Sequence, residues 1–149
     1  MAPPISVLIV DDHPVVRQGL RALLEVQDGI EVVGETGDGD GALALAARHA
    51  PDVILLDLKL PVMDGIAVLR ELRESGRRVR ALVLTSAPDR TLVSLAVQAG
   101  AAGFLYKDVD PDALVRAIRS VHDGHTLLAP EAAGSLLRTG AAAPPGCSC

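Results

Sequence analysis

Short apolar runs alternate with amphipathic stretches five times along this 149-residue chain, and this alternation restricts the fold more than any other feature. The runs are rich in β-branched residues and have the length of strands, at positions 5–10, 30–35, 53–56, 81–84 and 103–106. Between them, apolar residues recur every three or four positions, as they do along one face of a helix. Strict alternation of strands and helices predicts a parallel sheet with helices on both of its faces.

Prolines, glycines and an aspartate mark where these helices begin and end. Pro14 and Pro111 suit the first position of a helix, and Asp110 is the expected N-cap of the last helix. Gly76 and Gly100 suit the position just after a helix, where the left-handed conformation favours glycine. The first helix is expected to bury one apolar face, made of Val15, Val16, Leu20, Leu23 and Leu24.

Polar side chains follow four of the five apolar runs. These side chains are Asp11, Asp12, Asp57, Thr85, Ser86 and Lys107. The carboxyl ends of parallel strands meet at one edge of the sheet, and ligands bind at that edge. Carboxylates that converge there repel one another, and a hard divalent cation such as Mg²⁺ neutralises them. A lysine and a hydroxyl beside such a cation suit a phosphoryl group. The central Asp57 is the natural nucleophile, since carboxylates form aspartyl-phosphates.

At these residues the chain resembles the receiver domain of a two-component response regulator. The matching segments are Ile-Val-Asp-Asp-His-Pro at 9–14, Leu-Leu-Asp-Leu-Lys-Leu-Pro-Val-Met-Asp-Gly at 55–65, Leu-Thr-Ser at 84–86 and Ala-Gly-Ala-Ala-Gly-Phe-Leu-Tyr-Lys-Asp at 99–108. The first and last are most similar to the LuxR-type (NarL/FixJ) subfamily. The resemblance implies a flavodoxin-like α/β fold, with a doubly wound five-stranded parallel sheet in the order 2-1-3-4-5, over a receiver domain at 5–123.

The resemblance also implies roles for the polar residues at the sheet edge. Asp57 would accept a phosphoryl group from a sensor histidine kinase. Mg²⁺ (or Mn²⁺) would be held by Asp11, Asp12, Asp57 and the backbone carbonyl of Lys59. Lys107 would pair with the phosphoryl oxygens. The domain is then a phosphoacceptor in signalling rather than an enzyme that acts on an external substrate.

A switch follows from the same resemblance. Thr85 would turn its hydroxyl onto the phosphoryl group, and Phe104 would swing inward to fill the space behind it. This movement would change the face formed by the fourth helix, the fifth strand and the fifth helix, through which receivers form homodimers. DNA would be contacted only through a helix-turn-helix output domain outside this chain.

Two departures from the family pattern add expectations. Ala87, two residues after Thr85, cannot position a water molecule, so we expect slow autodephosphorylation. Many receivers follow the lysine with a cis-proline, whereas Lys107 here precedes Asp108. A cis bond before a non-proline residue costs about 2.5–4 kcal/mol. The sequence therefore leaves the isomer of this peptide bond open.

Charge and composition exclude several classes of function. The chain has 14 basic and 19 acidic side chains and a net charge of −5, so it lacks the basic face that holds nucleic acid. No run of about eighteen apolar residues exists, so we expect no membrane span and a cytoplasmic location. Cys147 and Cys149 cannot build a disulfide framework. An additional helix or the start of a linker is expected within 124–138, and a disordered tail at 139–149.

Three other interpretations remain open from the sequence. Positions 37–42 fit the G-x-G-x-x-A pattern of dinucleotide-binding enzymes, and Asp57 lies about twenty residues further on. A haloacid-dehalogenase-type hydrolase also forms an aspartyl-phosphate, but Lys59 stands where that family has a second aspartate. The third interpretation is a receiver that works without phosphorylation, as a protein-interaction module.

Overall fold

The computed structural model describes residues 3–61, 63–76, 78–86 and 90–125, which contain five strands and five helices in alternation. The strands are β1 (Ile5–Val10), β2 (Ile30–Thr36), β3 (Val53–Asp57), β4 (Arg80–Thr85) and β5 (Gly103–Tyr106). The helices are α1 (Pro14–Glu25), α2 (Gly39–His49), α3 (Gly65–Glu74), α4 (Arg90–Gln98) and α5 (Pro111–His122). The alternation predicted from the sequence is confirmed.

All neighbouring strands are parallel, and their order across the sheet is β2-β1-β3-β4-β5. This is the order that the resemblance implied. The chain steps from β1 to β2 on one side and then returns to β3 on the other side. In doubly wound sheets, such a reversal opens a crevice at the carboxyl ends of the two central strands, here β1 and β3.

Alternate residues of the central strands pack into two separate cores. On β1, Leu8 and Val10 face the core formed with α2, α3 and α4, whereas Val7 and Ile9 face the core formed with α1 and α5. Every residue of β3 is buried. A strand covered by helices on both faces has a continuous apolar sequence, and β3 shows this until its last residue, Asp57.

The residues predicted to begin and end helices have those roles. The Asp110 carboxylate caps α5 by accepting a hydrogen bond from the Ala113 backbone N–H at 3.3 Å. Gly76 and Gly100 follow α3 and α4 with φ angles of 74° and 107°, in the left-handed region. The predicted termini of these helices are therefore confirmed.

The prediction that Val15 lies on the buried face of α1 is wrong, because its side chain is 80% exposed. Val15 is the second residue of α1, beside Pro14. The inward face of α1 instead holds Leu24, which is buried, and Leu20 and Leu23, which pack half-buried against the same core. The turn at Val15 faces solvent beside the carboxyl edge of the sheet.

Several sequence predictions fall outside the described residues. These are the tail at 139–149 with Cys147 and Cys149, all but two residues of the segment 124–138, and Ala87. Along the described stretches, no helix combines the length and the apolar character needed to cross a bilayer.

Candidate functional site

Three polar side chains are buried among the residues that the structure describes, and all three lie at the carboxyl edge of the sheet. Asp11 follows the end of β1 and is 2% exposed. Asp57 ends β3 and Thr85 ends β4, and they are 5% and 6% exposed. Because burying a charged carboxylate is costly, such groups need partners at close range.

Lys107 provides that partner for both carboxylates. Its Nζ lies 2.7 Å from Asp11 Oδ2 and 3.0 Å from Asp57 Oδ2. The lysine follows β5, and its backbone N–H donates to the Thr85 carbonyl at 2.9 Å, which extends the β4–β5 ladder by one bond. The peptide bond that joins Lys107 to Asp108 is trans. The sequence prediction that these residues converge at one edge is therefore correct for Asp11, Asp57, Thr85 and Lys107.

The ion pairs shift the pKa values of two of these groups. Burial alone would raise the pKa of Asp11, but hydrogen bonds from Lys107 and His13 outweigh it and lower that pKa below its usual 3.8. Burial alone would lower the pKa of Lys107, but hydrogen bonds to Asp11 and Asp57 outweigh it and raise that pKa above 10.5. Both groups are therefore charged at neutral pH.

His13 is the last residue before α1, and its ring contacts both preceding acidic residues, Asp11 and Asp12. Its Nδ1 is 2.8 Å from Asp11 Oδ1 and 3.0 Å from Asp12 Oδ1, and its backbone N–H donates to Asp11 Oδ1 at 2.8 Å. The sequence alone predicts no role for His13. Its position directly after the acidic pair is the signal that could have indicated one.

A group of potential metal ligands gathers at this edge. Asp11, Asp12, His13 and Asp57 each offer one ligand atom, and these atoms lie within 4.8 Å of one another. Carboxylate oxygens are the ligands that Mg²⁺ prefers, and Asp12 is exposed, so one side of the group is open to water. The side chains therefore suit a cation that keeps part of its hydration shell.

The loop after β3 orients the Asp57 carboxylate. The Lys59 backbone N–H donates to Asp57 Oδ1 at 3.1 Å, while the Lys59 side chain is exposed. Gly65 begins α3 directly against this loop, and its N–H donates to the Leu58 carbonyl at 2.9 Å. A Cβ at Gly65 would lie 2.7 Å from both the Asp57 carbonyl oxygen and Leu58 Cα, so a glycine is needed for this close approach.

Close packing explains the glycine-rich segment at the start of α2. A Cβ at Gly39 would lie 2.8 Å from the Met63 carbonyl oxygen, and a Cβ at Gly41 would overlap Thr36 Oγ1. The Asp38 side chain caps this helix by accepting from the Gly41 N–H at 2.6 Å. These contacts account for the spacing of the glycines without a bound nucleotide.

Phe104 lies on β5 opposite Val83 of β4. It is 1% exposed and packs in the core that includes α2, α3 and α4. Phe104 is therefore buried, and its part in a switch stays a prediction.

The comparisons with known proteins agree with this fold. Residues 7–119 match the family described as response regulator receiver domain. The nitrate/nitrite response regulator protein NarP of Escherichia coli is 47% identical over 119 residues, which are 80% of this chain and 55% of NarP. The signal receiver domain of the response regulator NarL from Mycobacterium tuberculosis superposes with a TM-score of 0.80 at 37% identity, over 83% of this chain and 100% of that one.

A two-component response regulator of the LuxR family from Aurantimonas sp. SI85-9A1 superposes with a TM-score of 0.84 at 34% identity, over 91% of this chain and 97% of that one. The chain therefore belongs to the response regulator receiver domain family, and its relatives are LuxR-type regulators of two-component signalling. This confirms the resemblance and sets aside the dinucleotide-binding and hydrolase interpretations. The chain spans little more than half the length of NarP.

Proposed function

We propose that this domain accepts a phosphoryl group on Asp57 and that the new charge there switches its outer surface. The observation that carries the proposal is the position of the Lys107 ammonium, which lies 2.7 Å from Asp11 and 3.0 Å from Asp57. Phosphoryl transfer requires positioning and charge neutralisation more than covalent chemistry. A half-buried lysine beside a central carboxylate supplies both.

The phosphoryl donor is a phosphohistidine on a sensor histidine kinase. An Asp57 carboxylate oxygen forms the new bond to phosphorus while the P–N bond breaks, and the imidazole nitrogen keeps the electron pair and takes up a proton. Asp57 is aligned for this step because Oδ1 accepts from the Lys59 N–H and Oδ2 from Lys107. Each carboxylate oxygen retains acceptor capacity beyond these bonds.

Asp11, Asp12, Asp57 and the backbone carbonyl of Lys59 would hold Mg²⁺ or Mn²⁺. When bound, the cation supplies positive charge against the oxygens of the transferring group. The support is the spacing of the side-chain ligand atoms, which lie within 4.8 Å of one another. The residues of this chain bind and orient the groups that react.

The switch is proposed to involve Thr85 and Phe104. Thr85 ends β4, and its backbone carbonyl accepts a hydrogen bond from the Lys107 N–H. The end of β4 is therefore joined directly to the lysine of the site. A Thr85 hydroxyl drawn to the phosphoryl oxygens would move the start of α4, and Phe104 lies in the core beneath that helix. The face of α4, β5 and α5 would then form a homodimer. Light scattering of the phosphorylated domain tests this step.

The output belongs to a helix-turn-helix domain outside this chain, which alone would contact DNA in a cytoplasmic regulator. The receiver acts on its own Asp57 and on no external substrate. We expect autodephosphorylation to be slow because Ala87 carries no polar group to hold a water molecule. A phosphoryl half-life of only seconds in the isolated domain would contradict this expectation.

Intact-mass spectrometry after incubation with acetyl phosphate and Mg²⁺ tests the proposal. We expect one phosphoryl adduct, with loss of acetate, that disappears without Mg²⁺ and in the Asp57→Asn variant. Absence of an adduct from the folded wild-type domain, with phosphorylated kinase as well as with acetyl phosphate, would favour the phosphorylation-independent interaction module. An adduct that persists in Asp57→Asn would assign the nucleophile to another residue.

A further inference from the structure

We infer that Arg17 is a positioning residue that holds the backbone beneath the acidic pair and thereby sets the affinity of the site for a divalent cation. This inference rests on the proposed function, since it concerns the cation that Asp11 and Asp12 would hold. Arg17 lies on α1, and its Nη1 donates to the Asp11 carbonyl oxygen at 2.6 Å. The guanidinium thus contacts the backbone of a ligand residue rather than its carboxylate.

The Asp11 carbonyl needs this partner because the β1–β2 ladder stops beside it. The last paired residues are Val10 and Thr36, and the Asp11 N–H still donates to the Thr36 carbonyl at 3.1 Å. Beyond Thr36 the chain turns away at Gly37, so β2 offers no N–H to the next carbonyl of β1. Arg17 extends the ladder by one bond with a side-chain donor.

Gly37 leaves the space that the guanidinium occupies. A Cβ at this position would lie 2.9 Å from Arg17 Nη1. This glycine belongs to the segment at 37–42 that matched a nucleotide-binding pattern in the sequence. The same Cβ position lies 3.6 Å from the Asp12 Cα. Gly37 therefore packs against both Arg17 and the backbone of the acidic pair, Asp11 and Asp12.

Glu35 contacts the guanidinium and is itself held by Arg21. Arg17 Nε donates to Glu35 Oε1 at 3.1 Å, and Arg21 Nη1 donates to Glu35 Oε2 at 3.0 Å. The Arg17 side chain is 20% exposed and that of Glu35 29% exposed. The Arg17 guanidinium of α1 therefore joins Glu35 of β2 to the backbone of Asp11.

Loss of the guanidinium has two opposite effects on the affinity for a cation. The direction of the measured change therefore distinguishes a purely electrostatic role of Arg17 from a positioning role. Removing a positive charge near a cation site strengthens binding by electrostatics alone. Removing a residue that orients a ligand typically weakens metal binding by about 10–100-fold. We expect the second effect to dominate in Arg17→Met, with Mg²⁺ binding about tenfold weaker.

The test measures the Mg²⁺ dissociation constant by isothermal titration calorimetry on the wild-type chain and its variants, after circular dichroism has shown that each is folded. Arg17→Met should bind Mg²⁺ about tenfold more weakly and require a correspondingly higher Mg²⁺ concentration for half-maximal labelling by acetyl phosphate. Arg17→Lys should restore part of the affinity, because one ammonium can reach either the Asp11 carbonyl or Glu35. It cannot reproduce the two simultaneous hydrogen bonds of the guanidinium.

Arg119→Met is the matched control. Arg119 also donates to a backbone carbonyl, that of Asp28, at 2.9 Å, but this carbonyl lies in the loop before β2, at the opposite end of the strand from the acidic pair. The control should bind Mg²⁺ like the wild type. If Arg17→Met does not fold, Arg17→Gln, which also removes the positive charge, replaces it and should weaken binding in the same direction.

The outcomes distinguish this inference from the proposed function. Failure of the wild-type chain to bind Mg²⁺ would overturn the metal site and the inference together. Wild-type binding with equal or tighter binding by folded Arg17→Met would overturn the positioning role alone. An equal loss in Arg119→Met would also overturn it, since the effect would then be one of general stability.

Discussion

Replacing Lys107 with methionine removes the ammonium that joins Asp11 and Asp57 and keeps a side chain of similar length. At separations of 2.7 and 3.0 Å, each contact is worth about 6 kcal/mol of gross Coulomb attraction at an effective dielectric constant near 20. Desolvation of the three ions offsets most of this attraction, and truncating one partner of a buried pair typically costs about 3–5 kcal/mol. We expect Lys107→Met to lower the free energy of unfolding by about 3 kcal/mol at pH 7.

The loss of unfolding free energy in Lys107→Met should depend on pH and become smaller towards acidic pH. Because the pKa of Asp11 is lowered from 3.8, its pairing stabilises the folded wild type above that pH, and the contribution is lost as pH falls through the lowered value. Because the pKa of Lys107 is raised from 10.5, its contribution is complete below that pH and is lost as pH rises through the raised value. The variant lacks the Lys107 hydrogen bond that helps to lower the pKa of Asp11, so Asp11 takes up a proton more readily and the deficit should shrink towards pH 4.

Urea denaturation followed by circular dichroism, with EDTA present, measures this deficit at pH 4, 5.5, 7 and 8.5. Circular dichroism is the suitable probe because the chain has no tryptophan. Lys59→Met is the matched control, since Lys59 is the other lysine of the chain and its side chain is exposed. It should change stability by less than about 0.5 kcal/mol. Equal stability of Lys107→Met and wild type at pH 7, or a deficit constant across this range, would refute the reasoning.

Two further predictions concern the cation and the loop after β3. Mg²⁺ at 100 times its dissociation constant should raise the free energy of unfolding by about 2.7 kcal/mol, as measured by urea midpoints, and Asp12→Asn should lose most of this gain; no stabilisation of the wild type would contradict the metal site. Gly65→Ala should destabilise the domain by about 1–3 kcal/mol and slow labelling by acetyl phosphate, because its Cβ would meet the Asp57 carbonyl oxygen at 2.7 Å. Gly19→Ala is the control in α1, where the added Cβ meets nothing within 4 Å, and it should stabilise by about 0.5–1 kcal/mol; equal effects of the two substitutions would contradict the packing argument.

The arrangement of elements could be predicted from the sequence because two independent patterns agree. The strands are continuous apolar runs, which is how strands covered on both faces read, and prolines, glycines and Asp110 mark the helix ends. The convergence of the polar residues could be predicted from the strand topology alone, since parallel strands bring their carboxyl ends to one edge. Asp57 and Thr85 end β3 and β4 as expected, whereas Asp11 and Lys107 lie one residue beyond the ends of β1 and β5.

Contacts between side chains and backbone could not be predicted in the same way. Nothing in the spacing of Arg17 and Asp11 indicates that a guanidinium reaches a carbonyl at the end of a strand, because that contact depends on where β2 turns away. His13 was read only as part of a motif, although its ring lies against Asp11 and Asp12. Val15 was placed on the wrong face because helical spacing gives a period and not the first residue that meets the core.

The position of Lys107 explains how a charge on Asp57 can affect a distant face of the domain. Its ammonium contacts the two buried carboxylates, and its backbone N–H is bonded to Thr85 at the end of β4. The same residue directly follows β5, which carries Phe104 into the core. A ligand shifts a conformational equilibrium only by the difference in its interactions with the two states, and a nearly complete shift needs about 5.5 kcal/mol. A phosphoryl group adds between one and two negative charges about where the ammonium already lies. After desolvation, losing one partner of such a pair is worth about 3–5 kcal/mol. Redistribution of the Lys107 contacts can therefore supply much of this free energy and bias β5 and the helices packed against it.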